Sequence, residues 1–217
     1  MSARPVVIAV DGPAAAGKGT LARGLADRLG FAYLDTGLLY RAVGAKVLDR
    51  GGDPADPAVA AAIARALKPG DLESAGLRDD RAAAAASRVA AIPAVRSALL
   101  DFQRDFAAQP PDAAPGAVID GRDIGTVVCP DAAVKLFITA SARVRAARRL
   151  RELRGRGLSV SAATVLREMA ARDARDAGRT VAPLKPAADA WCLDTSDLGP
   201  NTVLSLALAV VEQRQFA

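Results

Sequence analysis

The chain has 217 residues, 51% of them apolar and 24% charged, with 29 basic and 24 acidic side chains and a net charge of +5. That length suits one α/β domain with a small insertion, and the apolar share is ample for a core. No apolar run approaches the roughly 20 residues that span a membrane, and the stretch from Met1 to Pro5 is too short for a signal peptide, so a cytoplasmic protein is expected.

Residues 6–10 form a continuous apolar run, β-branched at four of five positions, and predict a buried parallel strand. After it, Gly12 and Gly17-Lys18 stand four residues apart, the spacing of a phosphate-binding loop. Its members are Gly12, Pro13, Ala14, Ala15, Ala16, Gly17, Lys18, Gly19 and Thr20. Successive backbone N–H groups in such a loop surround a phosphate, and the helix that follows directs its positive end at the same oxygens. Lys18 adds a mobile charge for the β- and γ-phosphates. Gly19 takes the usual Ser/Thr position, and the hydroxyl comes one residue later, at Thr20.

Further along, a helix over 17–29 stops at Gly30, and a strand over 31–34 ends at Asp35-Thr36-Gly37. Helices follow over 38–49, over the Ala-rich stretches 55–67 and 80–91, and from Pro93 to about 106. A strand over 117–120 leads into Gly121-Arg122-Asp123, and another covers 133–139. Ser141 caps an Arg-rich helix broken at Gly155 and Gly157. The next helix starts at Ser159 or Ser161 and ends near Gly178. A strand over 190–194 and a helix over 201–213 close the chain. The alternation implies a five-stranded parallel sheet sandwiched by helices, with Asp11, Asp35, Asp120 and Asp194 at the strand ends on the ligand side. Cys129 and Cys192 have no metal-ligand spacing and are expected as buried, reduced thiols.

Charge is uneven. Residues 143–179 hold eleven Arg, no Lys and four acids, a local charge of +7. Nucleic acid is one possible partner, but aromatic residues are only 4% and none interleaves these arginines, so a compact polyphosphate suits them better. Arg172, Arg175 and Arg179 are spaced i, i+3, i+7 on one helical face, with Asp176 placed to orient Arg172; this is either an anion clamp or a solvated face. The chain lacks histidine, the commonest general base. A monophosphate acceptor needs none, because its oxygen is already ionised; transfer then requires alignment, charge neutralisation and Mg²⁺. Asp120, with Thr20, is a candidate Mg²⁺ ligand through water; its alternative is a turn cap.

Five segments carry a resemblance: I-A-V-D-G-P-A-A-A-G-K-G-T, L-D-T-G-L-L-Y-R, A-A-S-R-V-A-A-I-P-A-V-R, V-I-D-G-R-D-I-G-T-V-V and R-D-A-R-D-A-G-R-T-V-A-P-L. Spread from Ile8 to Leu184, they make the chain similar to bacterial cytidylate kinases, nucleoside monophosphate kinases of the P-loop fold. The resemblance implies transfer of the γ-phosphoryl group of ATP to CMP or dCMP, with Lys18, Arg122 and Arg172 in the catalytic machinery and Arg148 on ATP. It implies that Thr36, Arg96, Asp123 and Arg179 surround the cytosine. Ser87, Arg172 and Asp176 fall on the sugar, and Arg41 and Arg122 on the acceptor phosphate. Tyr40 and Asp120 also belong to the CMP site.

An acceptor such as Asp123, helped by the Thr36 hydroxyl, pairs with cytosine's amine and repels uracil's carbonyl. By the same resemblance the chain is a single kinase domain, with its core at about 1–36, 93–142 and 186–217. A monophosphate-binding insertion covers 37–92, and an Arg-rich lid with the helix after it covers 143–185. The expected partners are nucleotides, not nucleic acid or membrane, and a monomer is expected. Three departures stand out: Thr36 replaces the usual serine, Ala15 a frequent glycine, and 68–80 has too few β-branched or aromatic residues for the strands many relatives carry there. Kinases for UMP or AMP are the alternative reading. A GTP switch is disfavoured because the lone Asn201 is followed by Thr rather than the Lys-x-Asp of guanine recognition.

Overall fold

The computed structural model describes residues 4–215. In chain order the elements are β1 (Val6–Asp11), α1 (Lys18–Leu29), β2 (Ala32–Asp35), α2 (Thr36–Asp49), α3 (Pro57–Arg65), α4 (Asp80–Val89), α5 (Pro93–Ala108), β3 (Gly116–Asp120), β4 (Val134–Thr139), α6 (Ala142–Gly155), α7 (Ala162–Ala177), β5 (Trp191–Asp194) and α8 (Pro200–Gln215). The five expected strands are present within a residue or two, and they make one sheet in the order β2-β3-β1-β4-β5. Two compact units result: Asp35–Phe106, and the segments before and after it.

The larger unit is organised by β1. It pairs in parallel with β3 (Ile8 opposite Val118) and with β4 (Ile8 opposite Val134), and β4 pairs in parallel with β5. Sandwiched strands must be apolar on both faces, which is why β3 is buried at all five residues and β1 from Ile8 onward. Leu21 and Leu25 of α1 and Val203 and Val211 of α8 close the core over Ile8, Val10, Val118, Leu136 and Ile138. Since β1 lies between β3 and β4, strand order reverses at its carboxyl end, where ligands of open parallel sheets bind. Cys129 is buried as expected, but Cys192 is exposed: β5 is an edge strand and alternates, with Trp191 and Leu193 turned toward the core.

The Asp35–Phe106 unit is helical. Leu39, Val43 and Val47 of α2 pack with Ile63, Ala86, Val89, Val95 and Leu99. Alanine serves close approach here: a Cβ on Gly44 would lie 2.7 Å from that of Ala85, so α2 and α4 meet where neither carries bulk. Residues 68–80 form no strand; they make two short 3₁₀ turns, Pro69–Glu73 and Ala75–Arg78, the first tied to α2 by Lys46–Asp71 at 2.6 Å.

Candidate active site

The β1–α1 loop needs unusual backbone angles. At Gly12 φ is +144°, and a Cβ would lie 1.9 Å from the Ile138 carbonyl oxygen, so only glycine fits. Ala15 has φ +59°, a left-handed conformation that costs an L residue about 1–2 kcal/mol. Its methyl packs with the α6–α7 cluster of Ala146, Leu153, Val165 and Met169. Gly17, at φ +96°, is the N-cap of α1 and brings no capping side chain, so the first-turn N–H groups are not claimed by one. The carbonyls are tied back instead. Lys18 Nζ donates to Pro13 O at 3.0 Å, Arg145 to Ala14 O at 3.3 Å, and the Thr195 hydroxyl to Ala16 O at 2.9 Å.

Cations crowd the end of this loop. Lys18 is buried, with Nζ 3.9 Å from an Asp120 oxygen. Burial, then Arg122, then Arg172 bring its pKa down from 10.5 to about 8, against the opposing pull of Asp120. Asp120 sits against the loop: a Cβ on Gly19 would lie 3.4 Å from its other oxygen, in ordinary contact with it. Asp176, 1% exposed, accepts from Arg122 Nε at 3.2 Å on one oxygen and from Arg179 on the other. Burial raises its pKa, but Arg122, Arg179 and Arg172 together outweigh that and hold the carboxyl below its usual range. Lys18, Arg122, Arg172 and Arg179 thus converge around two carboxylates, an excess of positive charge that a bound polyanion would neutralise.

Beside them lies a feature no periodicity signals. Ile124–Val128 is one turn of π-helix, with Val128 N donating to Asp123 O at 3.2 Å and Cys129 N to Ile124 O at 2.7 Å. Its leading amides would be buried orphans, and Asp11 supplies both acceptors: Ile124 N at 2.9 Å and Gly125 N at 2.8 Å. Asp123, 4% exposed, is the residue that opens this turn. Burial, more than the neighbouring Asp123, pushes the Asp11 pKa up to about 6.

In the Asp35–Phe106 unit, Thr36 is the first residue of α2 and buried, behind an Asp35 cap that accepts from Gly37 N at 3.0 Å. Arg41 donates to Leu77 O at 3.0 Å. Arg96 is buried, donates to Ala90 O at 3.2 Å and lies 5.4 Å from the centre of the Tyr40 ring. Ser87 is buried on α4.

The stripe expected on one helical face divides. Arg179 lies past the end of α7, beyond the Gly178 cap, while Arg175 is exposed. Asp176 takes hydrogen bonds from Arg122 and Arg179 rather than orienting Arg172 alone. Thr20 is exposed on α1, and Asp194, the last residue of β5, accepts from Ser196 N at 2.8 Å. Asp11, Arg145, its partner Asp173 and Thr195 escaped the sequence reading of the site. Asp11 was seen only as a strand end. Arg145 was one arginine among eleven, and it joins Asp173 of α7 at 2.7 Å. Thr195, the fourth, carried no local signal.

Arg148, expected on ATP, donates to Thr195 Oγ at 3.0 Å and Thr195 O at 2.6 Å, beside the loop. The oxygen donors of Asp120 and Thr20 suit a hard cation such as Mg²⁺. Among the described residues no three His, Cys, Asp or Glu side chains gather to form a metal cage, so such an ion would depend on phosphate oxygens as well.

Known proteins point the same way. Cytidylate kinases of Paramagnetospirillum magneticum and Rhodospirillum rubrum are 61% and 60% identical over 209 residues, 96% of this chain and 99% and 98% of theirs. An uncharacterized protein from Eubacterium ventriosum, of known crystal structure, shares the fold with a TM-score of 0.56 at 15% identity, covering 95% of this chain and 98% of its own. The family model described as cytidylate kinase matches residues 8–213, which takes in the phosphate loop, the Asp123 turn and the arginine cluster, and the chain belongs to the cytidylate kinase family.

Proposed function

We propose that this protein transfers the γ-phosphoryl group of ATP to CMP or dCMP, giving ADP and CDP or dCDP. The observation that carries the reading is the convergence of Lys18, Arg122, Arg172 and Arg179 where the phosphate loop meets the Asp123 turn. Phosphoryl transfer asks for positioned charge more than for covalent help. In this scheme Lys18 follows the β- and γ-phosphates, and Arg122 and Arg172 align and neutralise the acceptor phosphate and the group in flight. The acceptor oxygen arrives ionised, so the lack of histidine is no handicap. Asp120 and Thr20 would hold Mg²⁺ through water, and the ion would supply positive charge against the phosphates.

Asp123 reads the cytosine amine, with Arg179 donating to the ring's acceptors and Asp176 meeting the sugar. From the Asp35–Phe106 unit, the family resemblance supports Thr36 and Arg96 for the base, Ser87 for the sugar, Arg41 for the acceptor phosphate, and Tyr40 as a further member of the CMP site. The protein works as a cytoplasmic monomer. No single helix among the described residues is long and apolar enough to cross a membrane.

Asp123→Asn tests the reading of the base. The amide keeps one acceptor but offers a donor, which repels an amine and suits a carbonyl. The efficiency on CMP is expected to fall at least tenfold, about 1.4 kcal/mol of transition-state binding. UMP falls less or gains, so the CMP/UMP ratio shrinks. An unchanged ratio alongside a lowered melting temperature would make Asp123 a turn residue only.

A further inference from the structure

Thr195 stands just past β5 and is 2% exposed, although nothing in its neighbourhood in sequence marks it. Its hydroxyl is a meeting point of three segments. It donates its single proton to Ala16 O at 2.9 Å and accepts from Arg148 at 3.0 Å, with Thr139 O at 3.1 Å as the other acceptor in reach. The Thr195 carbonyl takes a second bond from the same guanidinium at 2.6 Å, and its N–H is anchored to Thr139 O at 2.8 Å. Backbone anchoring on β4 leaves the hydroxyl little freedom.

The consequence falls on the phosphate loop. Ala16 and Gly17 share a trans peptide, in which the carbonyl and the N–H point in opposite directions. Tying the Ala16 carbonyl to Thr195 therefore also sets the direction of the Gly17 N–H, the last loop amide before Lys18. The same hydroxyl fixes one nitrogen of Arg148 beside the loop. A valine would keep the shape and the backbone bonds, but it would remove the shorter of the two bonds to the Ala16 carbonyl, leaving Arg148 at 3.4 Å, and free one nitrogen of that guanidinium from the hydroxyl.

We propose that Thr195 is a positioning residue for the donor nucleotide: its hydroxyl sets the last peptide of the phosphate loop and the Arg148 guanidinium for the triphosphate. This rests on the reading of the loop as the ATP site. The effect belongs to the donor, because the bonds of this hydroxyl fall on the Ala16–Gly17 end of the phosphate loop and on Arg148.

The test is steady-state kinetics on Thr195→Val, Thr195→Ser and Lys18→Ala, with melting temperatures. Thr195→Val should raise KM for ATP about tenfold while KM for CMP stays within twofold. Thr195→Ser, which restores the hydroxyl, should return KM for ATP to within about threefold of wild type. If the valine variant does not fold, Thr195→Ala takes its place with the same expectation. Equal rises in both KM values, or an unchanged KM for ATP, would overturn the role and leave Thr195 a packing residue. Lys18→Ala keeps the two readings apart: near wild-type turnover there overturns the donor site itself. A dead Lys18 variant beside an ATP-insensitive Thr195→Val overturns Thr195 alone.

Discussion

At the scale of single residues, Lys18 shows how the fold tunes a charge. Its pKa of about 8 comes from burial and from Arg122, so the ammonium is partly titrated at mildly alkaline pH. Between about 8 and 10.5 the unfolded chain holds more protons at this site than the folded one, so the Lys18 contribution to stability rises with pH across that window. Activity should run the opposite way: kcat/KM for ATP is expected to fall above pH 8 with an apparent pKa near 8 in the free enzyme. A profile flat to about pH 9.5 would contradict that assignment. Lys18→Ala removes the charge altogether and should cut turnover at least about 10²-fold in a folded protein, measured under saturating ATP and CMP. Near wild-type turnover would detach Lys18 from the chemistry. The spacing of Gly12, Gly17 and Lys18 made this residue legible in the sequence, because the loop is continuous in the chain. The hydroxyl of Thr195 was not, since it meets a carbonyl 179 residues away.

Among elements, α6 and α7 were visible from their Ser caps and glycine breaks, and the caps are made as expected: Ser141 accepts from Val144 N at 3.3 Å and Ser161 from Thr164 N at 3.1 Å. What arginine content could not reveal is how the charges are divided. Arg145 is turned inward, donating to Ala140 O and Ala14 O and pairing with Asp173, so it joins α6 to both α7 and the phosphate loop. Arg145→Met should cost about 2 kcal/mol, since it strands a partly buried carboxylate. The melting temperature should drop by roughly 4–8 °C, with earlier proteolysis between α6 and α7. A Tm within a degree of wild type would mean the pair is solvated. Arg172 and Arg179 should separate in function. Both alanine variants should weaken nucleotide binding, but Arg179→Ala alone should narrow the CMP-over-UMP preference, because only Arg179 is assigned to the base. Equal losses for every acceptor from both would reduce the two to a phosphate clamp. The π-turn after Asp123 was beyond the sequence for a physical reason: its amides are satisfied by Asp11, which lies 113 residues earlier.

For the whole molecule, the local charge of +7 over residues 143–179 suggests a polyanion, yet much of it is engaged within the protein. Besides Arg145 and Arg148, Arg149 and Arg156 both pair with Glu152. Binding to duplex DNA at about 150 mM salt should therefore be weaker than about 10 µM, and submicromolar binding in a filter assay would contradict the reading. The five strands were readable because apolar runs alternate with helices, but their order in the sheet was not, since it depends on pairings between segments far apart in the chain. In the proposed function, choice of acceptor is the property that unites loop, turn and arginine cluster. Its most direct measurement is a coupled assay of the wild-type protein with ATP and Mg²⁺ against CMP, dCMP, UMP, AMP and GMP. CMP and dCMP should lead in kcat/KM, with AMP and GMP lower by at least about 10²-fold and UMP in between. AMP or UMP used as efficiently as CMP would contradict this ranking.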